Sequence, residues 1–323
     1  MERNEVITWL GADWDRYQSA ARAALGTDVP LLQEVNDNVL AHSGKMLRPM
    51  LALLCARACP PGAANEDSIR FATALELLHN ATLLHDDVAD RSEERRGVPT
   101  VASLIGPSPA VLVGDFWLAR AVHLVVRTHH FEWAVGAFSK TLTDLAEGEM
   151  LQQQKAGSCD TTQADYERII FCKTASLFRL CCQAGARSVD APGAVEKALA
   201  AYGEAVGMAF QIRDDIFDYE GGAIGKPVGQ DLMERKITAP LLEALKGSAR
   251  EREIRSLICT LPEHPEHLAQ IQAFVVERGG LAGARAQLDR HIARALEALE
   301  AVPASEAREF LTQAARYIGD RNT

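Results

Sequence analysis

The chain has 323 residues, 47% hydrophobic and 6% aromatic, with a formal charge of −10 from 34 Lys and Arg against 44 Asp and Glu. That charge argues against a general nucleic-acid binder, and no uncharged apolar run reaches the roughly 18 residues of a membrane span. The seven cysteines form no CxxC pair, which disfavours a disulfide framework or a zinc ribbon; they read as buried thiols in a reducing compartment.

From the N-terminus, "MERNEVITWLGADWDRY" is charged and amphipathic and lacks the basic start and apolar core of a signal peptide, so a cytoplasmic protein is expected. Apolar residues then recur at helical spacing nearly throughout. The punctuation is short: "CPPGAAN" (59–65), "GVPT" (97–100), "GPSP" (106–109), "GSCDTT" (157–162), "GGAIGKPVG" (221–229) and "LPEHPEH" (261–267). With no linker and no repeat, the expectation is an all-α helical bundle forming one large domain over 1–323.

Asn65 is a candidate N-cap for a helix running from about Ser68 to Asp90, and Gly97 with Pro99 forces the exit. Its end carries Asp86, Asp87 and Asp90 after a dozen residues almost without charge. A helix C-terminus already presents partial negative charge, so three carboxylates there call for a cation. Asp86 and Asp90, four apart, share a face with Asp87 to the side. Magnesium suits them, because it takes a few carboxylates, keeps waters and fills its remaining positions with phosphate oxygens. A solvated acidic face is the alternative for one such cluster. The pattern returns, however, at the end of a second helix, in "FQIRDDIFDYEGG", with Asp214, Asp215 and Asp218. If the two helices face one another, six carboxylates would clamp divalent ions around a diphosphate.

Cationic residues fit the same ligand: Lys45 and Arg48 in "SGKMLRP", Arg95 and Arg96 in "ERRG", Lys173 beside Thr174 in "CKTASLF", Lys226 and Lys236 in "GKPVGQDLMERKIT". Singly, each reads as surface charge. Their placement beside glycine, proline or an acidic motif favours phosphate contact. His79, seven residues before Asp86, lies on roughly the same stripe, and Gln211 precedes Asp214 by three; a core histidine and a structural glutamine are the plainer readings. The glycine-rich 221–229 stretch is either a connection or a lid over phosphate.

These motifs, "GKxLRP", "LLHxxxLLHDDVxDxxxxRRG", "VLVGDF", "AEGEMLQ", "KTASLF", "FQIRDDIFD" and "GKPVGQDLxxxKxTxPL", resemble the trans-type polyprenyl diphosphate synthases, the polyprenyl synthetase family, from about Gly44 to the C-terminus. The likeness is greatest to the bacterial long-chain branch that makes quinone side chains, octaprenyl diphosphate synthase among them. The resemblance implies the isoprenoid synthase fold, an all-α homodimer with a deep central cavity in each subunit. It also implies a Mg2+-dependent head-to-tail condensation of an allylic diphosphate with isopentenyl diphosphate. Three ions are expected, with Mn2+ able to substitute, held by Asp86, Asp90 and Asp87 and by Asp214, Asp215 and Asp218. Lys45, Arg48, His79 and Arg96 would hold isopentenyl diphosphate. Arg95, Lys173, Thr174, Gln211, Lys226 and Lys236 would face the allylic diphosphate or the nascent cation. Peripheral membrane contact at product release completes the expectation.

Two departures stand out: Ser43 and Met46 in a stretch often written "GGKRLRP", and Arg235 where the family often has glycine before the lysine of "GKxT". Product length is expected from Ala81 and Thr82, five and four residues before Asp86, or roughly 6–7.5 Å down the helix. Neither is bulky, which suggests a tunnel floored deeper, by Leu77, Leu78 or a helix over 116–138, and a product of about 40 carbons. Competing readings are a short-chain synthase, a non-catalytic subunit of a heteromeric synthase, a terpene cyclase and an HD-type phosphohydrolase. The last two are disfavoured by the second DDxxD and by the absence of spaced histidine ligands.

Overall fold

The protein, described here from a computed structural model, is defined over residues 3–42, 44–95, 97–220 and 229–319. Helices α1 (Arg3–Leu10), α2 (Ala12–Ala24), α3 (Pro30–Ala41), α4 (Leu47–Ala58) and α5 (Glu66–Ala89) lead into a minimal hairpin, β1 (Glu94–Arg95) with β2 (Val98–Pro99). Next come α6 (Val101–Ile105), α7 (Pro107–Val125), α8 (Phe131–Ser158) and α9 (Gln163–Ile170), the last running through a π-helical turn (Phe171–Ala175) into α10 (Ser176–Ser188). The chain finishes with α11 (Gly193–Glu220), α12 (Gln230–Met233), α13 (Ala239–Leu245), α14 (Glu251–Cys259), α15 (His267–Glu277), α16 (Gly280–Leu299) and α17 (Glu306–Gly319). The all-α class expected from periodicity is what the chain adopts. Two compact units divide it: one from the chain up to Phe138, Cys181–Leu199 and Val302–Leu311, the other from Ser139–Leu180, Ala200–Ala301 and the chain beyond Thr312.

In the first unit α5 is the organising helix. Asn65 caps it with a reciprocal box: its side chain accepts from the Ser68 amide, and the Ser68 hydroxyl accepts from the Asn65 amide. Ile69, Phe71, Leu75, Leu77, Leu78 and Leu84 bury its apolar face. Helix α7 approaches the far end of α5 closely because Gly114 has no side chain; a Cβ there would sit 2.3 Å from His85 Nε2. Two buried polar side chains satisfy each other, with Trp117 donating to Asn36 and Asn36 to the Leu25 carbonyl, each at 2.8 Å. The single helix expected over 116–138 is not present. Helix α7 ends at Val125 and α8 starts at Phe131, because Thr128 turns its hydroxyl onto the Val125 carbonyl and the His129 amide donates to Asp67 at 2.7 Å.

The second unit is built around the π turn. Gly148 on α8 lets that helix press on it, since a Cβ would lie 2.6 Å from Cys172 Cβ, and Gly207 on α11 approaches Ala175 Cα to 2.5 Å by the same measure. The expectation of seven free thiols is corrected here: Cys159 and Cys259, 100 residues apart, have Cα atoms 5.8 Å apart and form a disulfide. Packing decides that proximity, because Arg255 on α14 donates to the carbonyls of Cys159 and Thr161. The other five cysteines are free and buried. Among the described residues, no helix is long and apolar enough to cross a membrane.

Candidate active site

In the first unit the aspartates at the end of α5 differ in setting. Asp87 is buried and accepts from Arg95 Nε at 2.8 Å, an ion pair across the start of the hairpin. Asp86 is half-buried and Asp90 exposed. The Asp90 amide still donates to the Asp86 carbonyl at 2.8 Å, so the helical turn persists and the two carboxylates share one face. Lys45 is exposed and Arg48 half-buried, on either side of Met46, which caps α4 in the left-handed conformation (φ 49°). A strained residue between two candidate phosphate ligands is the kind of cost seen at functional sites. Helix α4 packs against α5, on which His79 is half-buried.

In the second unit a hydrogen-bonded chain links the predicted residues. Thr174 Oγ1 donates to Gln211 Oε1 at 2.9 Å, and Gln211 Nε2 donates to Asp215 Oδ1 at 3.1 Å. The Tyr166 hydroxyl donates to Asp215 Oδ2 at 2.6 Å. Asp215 is 2% exposed, and burial, followed by the negative charge of Asp231, pushes its carboxyl up to about 8. The bonds from Tyr166 and Gln211 favour the anion without prevailing. Asp218 is engaged differently, for its oxygens accept from the amides of Gln230 and Asp231 at 3.0 and 3.2 Å and so cap α12. Asp214 alone of this motif is exposed.

Lys173, carried by the π turn, pairs with Glu149 at 2.5 Å, and Lys236 pairs with Glu234. A cavity of about 140 Å³ is lined by Lys173, Gln211, Asp215, Asp231, Lys236 and Tyr166 among others. It brings two predicted cations to the predicted amide and carboxylate. Arg96 and Lys226 lie outside the described residues, as do Ser43 and the 221–228 stretch. Ala81 is 1% exposed and enclosed by its neighbours, whereas Thr82 is half-buried and donates to the His79 carbonyl.

Sequence reasoning overlooked Tyr166, Glu149 and Asp231. Asp231 lies within "GKPVGQDL", a motif whose evident phosphate signal is its lysine. Tyr166 had no signal beyond helical spacing. The π turn was equally hidden, since a single i→i+5 turn leaves the apolar pattern of a helix intact.

An all-α chain with an aspartate-rich helix end in each unit and lysines gathered on a cavity has the architecture of the isoprenyl diphosphate synthases. The model of the family described as polyprenyl synthetase matches residues 29–275. Octaprenyl diphosphate synthase from Haemophilus influenzae is 35% identical over 325 residues, covering 100% of this chain and 98% of its own. The crystal structure of a decaprenyl diphosphate synthase from Rhodobacter capsulatus superposes with a TM-score of 0.91 at 33% identity, covering 98% of each chain. A polyprenyl synthase from Caulobacter crescentus, complexed with calcium and isoprenyl diphosphate, gives 0.89 at 34% identity, covering 100% of this chain and 98% of its own. The chain belongs to the polyprenyl synthetase family and is a polyprenyl diphosphate synthase, a prenyltransferase.

Proposed function

We propose that this synthase condenses an allylic diphosphate repeatedly with isopentenyl diphosphate to give an all-trans product of octaprenyl length. Products of this kind serve as quinone side chains. The observation that carries the assignment of its site is the division of labour within each aspartate motif. Asp90 and Asp214 are exposed and Asp86 half-buried, while Asp87 and Asp215 are buried against Arg95 and against Tyr166 with Gln211, and Asp218 accepts from backbone amides. The first three suit Mg2+ as direct ligands, and the second three assist by holding them in place. The accessible, all-oxygen donor set fits a hard cation, and the calcium in the Caulobacter protein supports a divalent ion. Bound Mg2+, three ions by the family pattern, would supply charge neutralisation for the departing diphosphate.

The chain's own residues do the rest. Lys45, Arg48 and His79, with Arg96, hold the diphosphate of isopentenyl diphosphate. Arg95, Lys173 and Lys236, with Lys226, hold that of the allylic substrate. Thr174 and Gln211, locked to each other, present fixed dipoles to the cation formed when diphosphate leaves. The homoallylic double bond then attacks, and a proton is lost to regenerate an allylic diphosphate. Water is kept out because it would quench the cation.

A homodimer is supported by the apolar side chains left exposed along α7, its C-cap and the start of α8: Val111, Leu112, Val122, Val126, Phe131 and Val135. A cytoplasmic location is proposed on the same footing as the product. The decisive experiment incubates purified protein with isopentenyl diphosphate, Mg2+ and one allylic primer at a time, sizing products by mass spectrometry. Elongation to about 40 carbons is expected, each five-carbon unit spanning about one helical turn of tunnel wall. No elongation by the protein alone would favour a heteromeric synthase; a stop at farnesyl or geranylgeranyl length would favour the short-chain reading.

A further inference from the structure

The turn that enters α15 carries a second, chemically different cluster. In "LPEHPEH" the His267 amide donates to the His264 carbonyl at 3.0 Å, forming one helical turn that puts His264, Glu266 and His267 on the same side of the chain. Their candidate ligand atoms all lie within 4.8 Å of one another. His264 Nδ1 is 3.0 Å from Glu266 Oε1, close to the separation of about 3.3 Å that two ligands of one tetrahedral zinc have at metal–ligand bonds near 2.0 Å. The two imidazole rings lie side by side, centroids 5.2 Å apart and 31° from parallel.

The Thr260 hydroxyl lies 3.2 Å from the carbonyls of Ser256 and Leu257 and 3.4 Å from His267 Nδ1. With Nδ1 turned to that hydroxyl, Nε2 is the ring nitrogen left to face a metal. A ligating histidine whose other nitrogen donates to an oxygen is the usual arrangement around zinc.

We propose that His264, Glu266 and His267 form a transition-metal site, selective for Zn2+ or a similar borderline ion, with His264 Nδ1, a Glu266 oxygen and His267 Nε2 as ligands. Imidazole nitrogen separates it from the aspartate motifs, because nitrogen donors favour zinc, nickel and copper while carboxylates and waters favour magnesium. The fourth position is left to water. The rings are exposed or half-buried, so small side-chain rotations close the remaining gap. Occupancy would also hold the first turn of α15. Leu268 and Gln272 of that helix pack around Gly229, where a Cβ would meet Leu268 Cδ1 at 2.9 Å and Gln272 Nε2 at 3.1 Å. Gly229 (φ 86°) is the last residue of the glycine-rich stretch, and its amide donates to the Asp218 carbonyl at 2.8 Å.

The test is Zn2+ titration of the full chain, by calorimetry, in Mg2+ sufficient to fill the carboxylate sites. One equivalent of zinc is expected to bind. His264→Gln and His267→Gln should each abolish that equivalent, and Glu266→Gln should weaken it about tenfold. All three should leave prenyl transfer unchanged in metal-defined buffer, whereas Asp86→Asn should keep the zinc equivalent. Amide exchange over 264–272 should slow on adding zinc in the wild type and not in His267→Gln. Absence of stoichiometric zinc uptake, its persistence in both histidine variants, or unchanged exchange would each overturn the proposal.

Discussion

Six aspartates of identical chemistry become three kinds of group once their neighbours are counted. Asp215 is the sharpest case. Its carboxyl titrates near 8 when folded and near 3.9 when unfolded. Between those values the folded chain holds the extra proton, so stability falls as pH rises from about 4 to about 8. Asp215→Asn removes that proton. In chelator, the drop in urea midpoint from pH 5 to pH 8 should therefore be smaller in the variant; an equal drop would reject the buried acid. Arg235 offers a second residue-scale prediction. It ends the α12 turn in the left-handed region (φ 59°), which costs an L side chain about 1–2 kcal/mol. After the added freedom of the unfolded chain is deducted, Arg235→Gly should stabilise by about 0.5–1 kcal/mol, read as a higher urea midpoint.

At the scale of elements, the candidate allylic site depends on how three helices meet. The π turn directs Lys173 and Thr174 inward, and Gly148 allows α8 to bear on it. In Gly148→Ala the new Cβ meets Cys172 and Lys173, and backbone has to yield, at about 1–3 kcal/mol. Lys173 moves with it. The KM for the allylic substrate should rise more than that for isopentenyl diphosphate; equal changes would mean that Gly148 serves packing alone. Helix α5 carries the length prediction. Thr82 retains accessible surface, so Thr82→Phe should shorten the product to about 15–20 carbons, a floor about one turn below the first aspartate. Ala81 is enclosed, and Ala81→Phe should combine any shortening with a lower melting temperature. An unchanged product distribution from Thr82→Phe would remove α5 as the ruler.

At the scale of the whole molecule, the apolar stripe of α7 is the feature a lone chain leaves unsatisfied. Leu112 is 66% exposed, with Val122 further along the same helix and Val126 at its C-cap. Leu112→Glu with Val122→Glu should shift the species seen by light scattering from dimer toward monomer while helical circular dichroism is kept. A monomeric wild type would dismiss the pairing.

The main helix, its cap and its acidic end were legible in the residues from Asn65 to Asp90 alone. A capping box, a 3.6-residue apolar period and a DDxxD are all local, so each is written within a few consecutive positions. The motif order also made the family recognisable. Which aspartate is buried, which caps a helix and which stays open was decided by Tyr166, Gln211, Arg95 and the amides of Gln230 and Asp231, all brought in by packing. The break after Val125, the π turn and the Cys159–Cys259 pair likewise come from tertiary contacts. Periodicity reports which face of a helix is buried; it does not report which distant side chain meets it there, and that meeting sets the charge, reach and partner of each group.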